Sequence, residues 1–427
     1  MISTRVFPSW ARNQVVYEVN LRQYSPGGTF QEFRQHLPRL KELGAGILWF
    51  MPIQPIGILH RKGSLGSYYS IRNYHDVDKA YGTLDEFISL VREIHEMGMY
   101  VILDWVANHT AWDHHWVQEC PSLYRRNEKD EIYPPFAEWG DVVGLDYKNP
   151  ELRMEMINEM KFWIEYTDID GFRCDMANLV PTDFWNEARI ALDTLKPVFM
   201  LAEADQRELT VHAFDVLYNW NLFHVFNDIA KGKYNADEIH WRIPSEITDF
   251  PKDAVNLLFI SNHDENSWNG SEIERLGLAL EAFAVLIFTF PGMPLIYSGM
   301  EAGNSHRLSF FDKDSIVWKE DKMYSLYAKL ARLRRETPAL WSIQPEGKLV
   351  LIPTENDDKI FAFKRELEQQ KVLVILNLSA EQVDFHFAGT GYEGKYIDVI
   401  NNRMHVSIGN MPCFSLPSWG YRVYRMV

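Results

Sequence analysis

The amino-acid sequence predicts an α/β protein: a (β/α)8 TIM barrel with a small domain inserted after the third strand and an antiparallel β-sandwich at the carboxyl end. Short apolar, β-branched runs alternate with amphipathic segments of helical period, which is typical of a parallel sheet. Eight such units favour closure of that sheet into a barrel. After residue 340 the pattern changes to short alternating strands such as KIFAFKR and YRVYRMV, which indicates a separate antiparallel domain.

The first part of the barrel is predicted from three strands and the helices between them. The strands are VVYEV (15–19), GILWFM (46–51) and YVILDW (100–105), and amphipathic segments at 29–44 and 83–98 follow the first two. The second segment has a cap at Thr83, acidic residues in its first turn and Gly98 at its end, which are the start and stop signals of a helix.

Five more strands complete the expected barrel. They lie at 168–175, 198–203, 214–220, 255–260 and 294–299, with helices at 150–166, 182–195 and 323–336. Residues 109–147, between the third and fourth strands, are polar, aromatic and poorly periodic, and they are too many for a simple loop. The domains are therefore predicted as a barrel from 1–108 and 148–340, an inserted domain at 109–147 and a β-sandwich at 341–427.

Composition excludes several classes of partner. The formal charge of −16 and the pI near 5.4 disfavour nucleic acid and anionic membrane, because no basic footprint is available. The longest apolar stretch, 282–290, is stopped by Pro291 and Gly292 and is too short to span a bilayer. The amino terminus lacks an apolar core of signal-peptide length, so we expect a cytoplasmic protein, unless a leader was removed.

Polar residues cluster at the ends of four predicted strands. The strands end in DWVANH (Asp104, Asn108, His109), GFRCD (Arg173, Asp175), LAEA (Glu203) and FISNHD (Asn262, His263, Asp264). An isolated aspartate at a strand end is usually a turn residue. Four strand ends together favour an active site, because active sites of such barrels lie where the strands end and collect groups with shifted pKa values.

The residue types point to glycoside hydrolysis. Two carboxylates that flank a glycosidic bond can act as nucleophile and proton donor. Arg173 and Asp175 are two residues apart on a strand and share a face, so the guanidinium is expected to keep Asp175 charged and oriented. Glu203, lying among like charges and aromatic rings, is expected to serve as the acid.

The four strand-end motifs, in this order, resemble those of the α-amylase family of retaining glycoside hydrolases, glycoside hydrolase family 13. GSYYSIRNYHDVDKAYGTLDEF resembles the family's segment after the second strand, and FPGMPLIYSGME resembles its eighth strand. The resemblance implies these catalytic residues: Asp175 as nucleophile, Glu203 as general acid/base and Asp264 as the third carboxylate. It also implies a sugar-binding set: Tyr69, His109, His263, and Arg173 braced by Asp104.

The resemblance implies retaining hydrolysis of α-1,4-glucosidic bonds in starch fragments or maltooligosaccharides, through a covalent glycosyl-enzyme intermediate. A transglycosylase or glucosyl isomerase of the same family is the alternative. Many α-amylases follow the nucleophile with a Lys-His pair, whereas this chain has Asn178 and Leu179, which predicts different contacts on the leaving-group side. Trp268 is either a stacking residue for sugar or part of the core. A sugar-binding protein without turnover is a rival that the intact carboxylate trio disfavours.

No cofactor is expected for catalysis. The alternative is a barrel hydrolase whose catalysis depends on a metal ion. The resemblance implies a possible structural calcium, with Asn108 and Asp146 as ligands, since oxygen ligands suit calcium. Zinc at His109, His114 and His115 is less expected than solvation of these histidines in a polar loop. The expected partner is an α-glucan, and the oligomeric state is left open.

Overall fold

A computed structural model of the chain describes residues 5–248, 254–343, 347–401, 404–410 and 412–427. The remaining positions of the predicted domains (1–4, 249–253, 344–346, 402–403 and 411) lie outside the described residues. Within these ranges, every helix is too short or too polar to pass through a lipid bilayer.

The barrel strands are built from the apolar runs of the sequence. The strands up to residue 300 are β1 (Val16–Val19), β2 (Ile47–Phe50), β3 (Tyr100–Trp105), β4 (His109–Ala111), β5 (Val142–Gly144), β6 (Gly171–Cys174), β7 (Phe199–Ala202), β8 (Val216–Tyr218), β9 (Val255–Leu258) and β10 (Met293–Tyr297). In the part of the chain that is described, eight of them close into a parallel barrel in the order β1-β10-β9-β8-β7-β6-β3-β2. All eight predicted barrel strands are thus confirmed.

Apart from α5 (His115–Glu119), which lies in the inserted segment, the helices belong to the barrel, whose strands are buried on both faces as in other helix-covered parallel sheets. The helices are α1 (Leu21–Tyr24), α2 (Phe30–Arg34), α3 (Leu37–Leu43), α4 (Leu84–Glu96), α5 (His115–Glu119), α6 (Pro150–Thr167), α7 (Thr182–Asp193), α8 (Trp220–Ala230), α9 (Asp237–Thr248), α10 (Glu272–Leu276), α11 (Leu280–Thr289) and α12 (Lys322–Glu336). α4 has the predicted cap, where Thr83 and Glu86 form a reciprocal capping box.

One predicted helix is divided in the structure. The segment 29–44 forms two helices, α2 and α3, rather than one. Pro38 lies in the first turn of α3, and because proline has no N–H to donate, it starts a new helix instead of continuing the previous one.

The inserted segment lies between β3 and α6. Its ends pair as a short antiparallel hairpin of β4 and β5, in which His109 is opposite Gly144. This hairpin begins after the three residues that follow β3, Val106, Ala107 and Asn108, so it stands at the rim where the barrel strands end. The insert is therefore placed to form one wall of a cleft above the barrel.

The carboxyl-terminal domain consists of antiparallel strands. They are β11 (Lys348–Leu351), β12 (Ile360–Leu367), β13 (Gln370–Asn377), β14 (Val383–His386), β15 (Gly394–Asp398), β16 (His405–Ile408), β17 (Cys413–Leu416) and β18 (Tyr421–Met426). A larger sheet has the order β11-β12-β13-β18-β15-β16, and β14 pairs with β17 in a smaller one. Phe361 and Phe363 of β12 pack against Phe290, which follows α11, so this domain shares a core with the barrel.

Two barrel strands approach each other closely at Gly171, the first residue of β6. Gly171 has φ 152°, and a Cβ atom at this position would lie 1.9 Å from the carbonyl oxygen of Phe199 in β7. Only glycine fits this contact. The absence of a side chain therefore sets the spacing of the two strands that lead to Asp175 and Glu203.

Candidate active site

Arg173, which is fully buried inside the barrel, ties together the ends of three strands. Its Nη1 lies 2.9 Å from Asp104 Oδ1 and 3.4 Å from Asp175 Oδ1, and its Nη2 lies 3.0 Å from Glu203 Oε1. The guanidinium also lies 4.9 Å from the centre of the Trp49 ring. The structure thus brings together the residues that the sequence placed at the ends of β3, β6 and β7.

The electrostatics of Asp175 differ from the expectation drawn from its arginine neighbour. Burial and then the negative charge of Glu203 raise the pKa of Asp175 well above its ordinary value, and the attraction of Arg173 does not offset them. Burial likewise raises the pKa of Asp104 to about 6, against the opposing effect of Arg173. Because one guanidinium is shared by three carboxylates, its attraction lowers the pKa of Asp175 by less than burial and Glu203 together raise it.

His263 connects Asp264 to a buried acidic residue on the first strand. Its Nδ1 lies 2.5 Å from Glu18 Oε1, and its Nε2 lies 3.2 Å from Asp264 Oδ2. Burial opposes a charged ring, but Asp264 and Glu18 outweigh it and raise the pKa of His263 well above its ordinary value. Burial would also favour a protonated Asp264, yet the charges of His263 and Arg173 outweigh it and lower the pKa of Asp264. Asp264 is therefore a charged carboxylate at the cleft.

The predicted sugar-binding residues Tyr69 and His109 both line the same cleft as the three carboxylates. The hydroxyl of Tyr69 donates to Asp104 Oδ2 at 3.1 Å and lies 2.7 Å from His263 Nε2, which fixes the tilt of its ring. Burial lowers the pKa of His109 to about 4, so its ring is neutral near pH 7. Both rings are held in place before any ligand binds.

The cleft itself has a volume of about 400 Å³, which is in the range of small-molecule sites. Aromatic side chains from different loops form much of its wall, among them Trp139 of the insert, Trp268 and Phe310. Trp268 is 52% exposed, and its ring centre lies 5.2 Å from that of Phe310. Trp268 was expected to be either a stacking residue for sugar or part of the core. Its exposure and its place in the wall of the cleft favour the first interpretation.

Met176 follows Asp175 in a strained conformation. Its φ of 42° and ψ of 46° are left-handed values that side chains rarely adopt, and such strain concentrates at functional sites. Its N–H donates to Glu203 Oε2 at 2.8 Å and so orients that carboxylate. Further along this segment, Asn178 is exposed, and Leu179 lines a neighbouring pocket with Arg125 and Asp146.

The two side chains expected to hold calcium already accept hydrogen bonds from groups of the protein. Asn108 is fully buried, and its Oδ1 accepts a hydrogen bond from Arg125 Nη2 at 3.4 Å. Arg125 Nε donates to the carbonyl oxygen of Leu145 at 2.8 Å, so a guanidinium already links the insert to the barrel. Asp146 Oδ1 accepts instead from the N–H of Lys148 at 3.1 Å. Throughout the described ranges, no group of three or more His, Cys, Asp or Glu side chains is placed to hold a metal ion.

The histidines of the insert have a structural arrangement that the sequence did not predict. His114 is buried rather than solvated, and its Nδ1 accepts a hydrogen bond from the N–H of Trp116 at the start of α5. Burial lowers the pKa of His114 to about 3, so the ring is neutral. Its ring stacks on that of His115 at 4.5 Å, while His109 faces the cleft.

Sequence reasoning missed two parts of the site. Glu18 lies within the predicted strand VVYEV, and a charged residue in a strand buried on both faces was the signal that could have identified it. Lys62, Asp141 and Phe311 also line the cleft, but they come from loops after different strands, and their sequence carries no motif.

Comparisons with known proteins agree with this geometry. The model of the alpha amylase catalytic domain matches residues 6–141 and 125–371, and that of the maltogenic amylase C-terminal domain matches residues 349–423. A solved structure of a noncanonic maltogenic alpha-amylase from Thermotoga neapolitana is 30% identical with a TM-score of 0.89, covering 97% of this chain and 99% of that one.

Curated relatives show the same similarity at lower identity. Alpha-amylase 3 of Dictyoglomus thermophilum is 26% identical, over 88% of this chain and 87% of the relative. A cyclomaltodextrinase of Thermoanaerobacter pseudethanolicus is 27% identical, over 83% of this chain but only 64% of that longer relative. Since the catalytic-domain model matches most of its length, the chain belongs to the alpha-amylase family of glycoside hydrolases.

Proposed function

We propose that the protein hydrolyses α-1,4-glucosidic bonds in maltooligosaccharides or starch fragments with retention of configuration at the anomeric carbon. The observation that carries the proposal is the pairing of Asp175 and Glu203 on one guanidinium, at 3.4 Å and 3.0 Å, in a cleft lined by aromatic side chains. Contact of both carboxylates with the same guanidinium supports the retaining geometry, in which the two carboxyl groups lie about 5–5.5 Å apart. The names of the relatives, maltogenic alpha-amylase and cyclomaltodextrinase, support a glucan substrate.

In the first step a carboxylate oxygen of Asp175 attacks the anomeric carbon. The bond from that carbon to the glycosidic oxygen breaks, and Glu203 donates its proton to the departing oxygen. Asp264, held charged by His263, accepts hydrogen bonds from hydroxyl groups of the retained sugar. This contact would strengthen as the ring distorts toward the transition state.

In the second step water releases the sugar. Glu203, now a carboxylate, removes a proton from a water molecule whose oxygen attacks the anomeric carbon. The bond to Asp175 breaks, and its electron pair returns to the carboxylate. Each carboxylate thus ends the cycle as it began.

The anomeric form of the first product tests the mechanism. We expect the α-anomer to appear first when maltoheptaose is digested and followed by proton NMR, because two displacements restore the configuration. Asp175→Asn should lose nearly all turnover while it still folds and binds the sugar. Appearance of the β-anomer as first product would contradict the proposal.

Transfer to a second sugar is the alternative outcome of the same intermediate. Digestion in ¹⁸O-labelled water separates the two, since hydrolysis places the label on the new reducing end and transfer or isomerisation does not.

The expected cytoplasmic location stays a prediction.

A further inference from the structure

A lysine from the loop after β2 crosses the cleft to the inserted domain. Lys62 Nζ lies 2.8 Å from Asp141 Oδ1 and donates to the carbonyl oxygen of Glu138 at 2.7 Å. The Asp141 side chain is only 6% exposed, so this charge is well shielded from water. Both Lys62 and Asp141 line the cleft that holds Asp175 and Glu203. We call this contact the Lys62 bridge.

The bridge is anchored to a third loop, the one after β10. The N–H of Ser64 donates to Asp312 Oδ1 at 2.7 Å, and the N–H of Leu65 donates to the carbonyl oxygen of Phe311 at 2.9 Å. Gly63 allows this approach, because it has φ 63° and a Cβ there would lie 2.6 Å from Phe311 Cβ. Lys62 Nζ also lies 5.9 Å from the centre of the Phe311 ring.

A second contact from the loop after β2 holds the insert at the same residue, Asp141. Ser70, eight positions after Lys62, donates from its hydroxyl to the carbonyl oxygen of Asp141 at 3.1 Å. Three loops, after β2, β3 and β10, are thereby joined into one continuous wall. These other contacts position the loops, whereas the Lys62 side chain is the part of the wall that spans from the loop after β2 to Asp141 within the cleft.

The strand order tells which end of the cleft this wall closes. In the barrel, β10 lies directly across the ring from β6, which leads to Asp175, and β1 lies across from β7, which leads to Glu203. A proton donor must contact the departing oxygen, so the leaving part of a glucan lies on the Glu203 side. The retained sugar extends the other way, toward the loops after β10 and β2.

We propose that the Lys62 bridge closes the end of the cleft that receives the retained glucosyl units. The enzyme would then cut close to the non-reducing end of a glucan and release a short product of fixed length, because longer retained segments meet the wall. Lys62 is a specificity-determining residue in this proposal, which rests on the proposed function.

The test uses maltoheptaose in two forms, one free and one with an ethylidene group that blocks the terminal glucose at its non-reducing end. We expect the parent protein to cleave the free form faster by roughly tenfold or more, because added bulk must fit against the wall. Lys62→Ala should raise the ratio of blocked to free cleavage by about tenfold and lengthen the products seen by chromatography.

Two variants serve as controls. Lys62→Arg keeps a cation that can reach Asp141 and should behave as the parent does. Lys231→Ala removes an exposed lysine at the end of α8, outside the residues that line the cleft, and should leave both rates unchanged. Thermal unfolding of each variant shows that it is folded.

The outcomes separate this proposal from the one on which it rests. If the parent cleaves neither form, the proposed function fails. If the parent cleaves both forms equally well, or if Lys62→Ala leaves their ratio unchanged, the glucan hydrolase stands and the role of the Lys62 bridge is overturned.

Discussion

The guanidinium of Arg173 contacts three carboxylates, and this sharing decides how protons are distributed among them. The pKa of Asp175 is raised well above its ordinary value, by burial first and by Glu203 second. A nucleophile must be ionised, so the activity of the free protein should rise with pH through the raised pKa of Asp175. The acid limb of the pH profile therefore reports on this cluster.

Removing the charge of Glu203 should move that limb. In Glu203→Gln the repulsion that raises the pKa of Asp175 is gone, so Asp175 ionises at lower pH. We expect the acid limb of kcat/KM to shift to lower pH when an activated aryl maltoside is the substrate, since its leaving group needs no proton from residue 203. An acid limb that stays in place would show that Glu203 does not act on the titration of Asp175.

A second prediction concerns Glu18, which is not among the residues that line the cleft but whose Oε1 lies 2.5 Å from His263 Nδ1. Glu18→Gln removes one of the two charges that raise the pKa of His263, so the imidazolium should be lost at lower pH. We expect the alkaline limb of kcat/KM to move to lower pH. A merely structural residue would change the rate without moving the limb.

Glu272→Gln is the matched control for Glu18→Gln. Glu272 is also buried, and burial raises its pKa to about 7, but it lies on α10 and not among the residues that line the cleft. Its substitution should leave the alkaline limb in place.

At the scale of elements, the link between the insert and the barrel predicts how the protein responds to chelators. Arg125 joins Asn108 to Leu145 through its guanidinium. A chelator should therefore leave the midpoint of thermal unfolding unchanged. A lower midpoint after chelation, restored by added calcium, would show that calcium binds in spite of this arrangement.

Arg125→Ala should destabilise the protein, because it leaves buried oxygen acceptors without a partner. The expected loss is about 1–3 kcal/mol in the free energy of unfolding, measured by urea denaturation. Arg126→Ala is the control: Arg126 pairs with Asp130, whose side chain is 82% exposed, and such a pair contributes little.

The elements themselves could be predicted well where a single segment carries the signal. The β3 segment YVILDW is apolar up to its aspartate, and the strand has the predicted bounds of 100–105. The break between α2 and α3 could also be found in the sequence, since Pro38 stands inside the helical pattern. The prediction of one helix over 29–44 followed the apolar period alone and took no account of this proline.

The wall of the cleft could not be predicted in this way. Lys62 and Asp141 are 79 positions apart and meet because their loops follow neighbouring strands, β2 and β3. Periodicity describes contacts within one element, and it carries no information on how two irregular loops approach each other. The clustering of the strand-end carboxylates could be predicted from the sequence, because the barrel geometry places the ends of all its strands on one rim.

At the scale of the whole molecule, the barrel and the carboxyl-terminal domain share apolar contacts. Phe361 of β12 is fully buried, and its ring centre lies 5.0 Å from that of His240 in α9 and 6.3 Å from that of Phe290. Apolar residues of both domains belong to one continuous core. The two domains should therefore unfold together.

Phe361→Ala tests this coupling. Creating a cavity of this size should lower the free energy of unfolding by about 3–5 kcal/mol in urea. The loss should appear in a single transition when followed both by fluorescence and by activity. Two separate transitions would contradict a shared core. Phe414→Ala, in the half-buried pair of β14 and β17, should cost less.

The close contact at Gly171 restricts which sequences can keep this chemistry. Even an alanine there would push its methyl group into the carbonyl of Phe199 and force the two strands apart near their beginnings. The displacement would then be carried along both strands to the nucleophile and its partner acid. Gly171 has no side chain and is not among the residues that line the cleft. It should nevertheless tolerate substitution as poorly as the two carboxylates whose positions it sets.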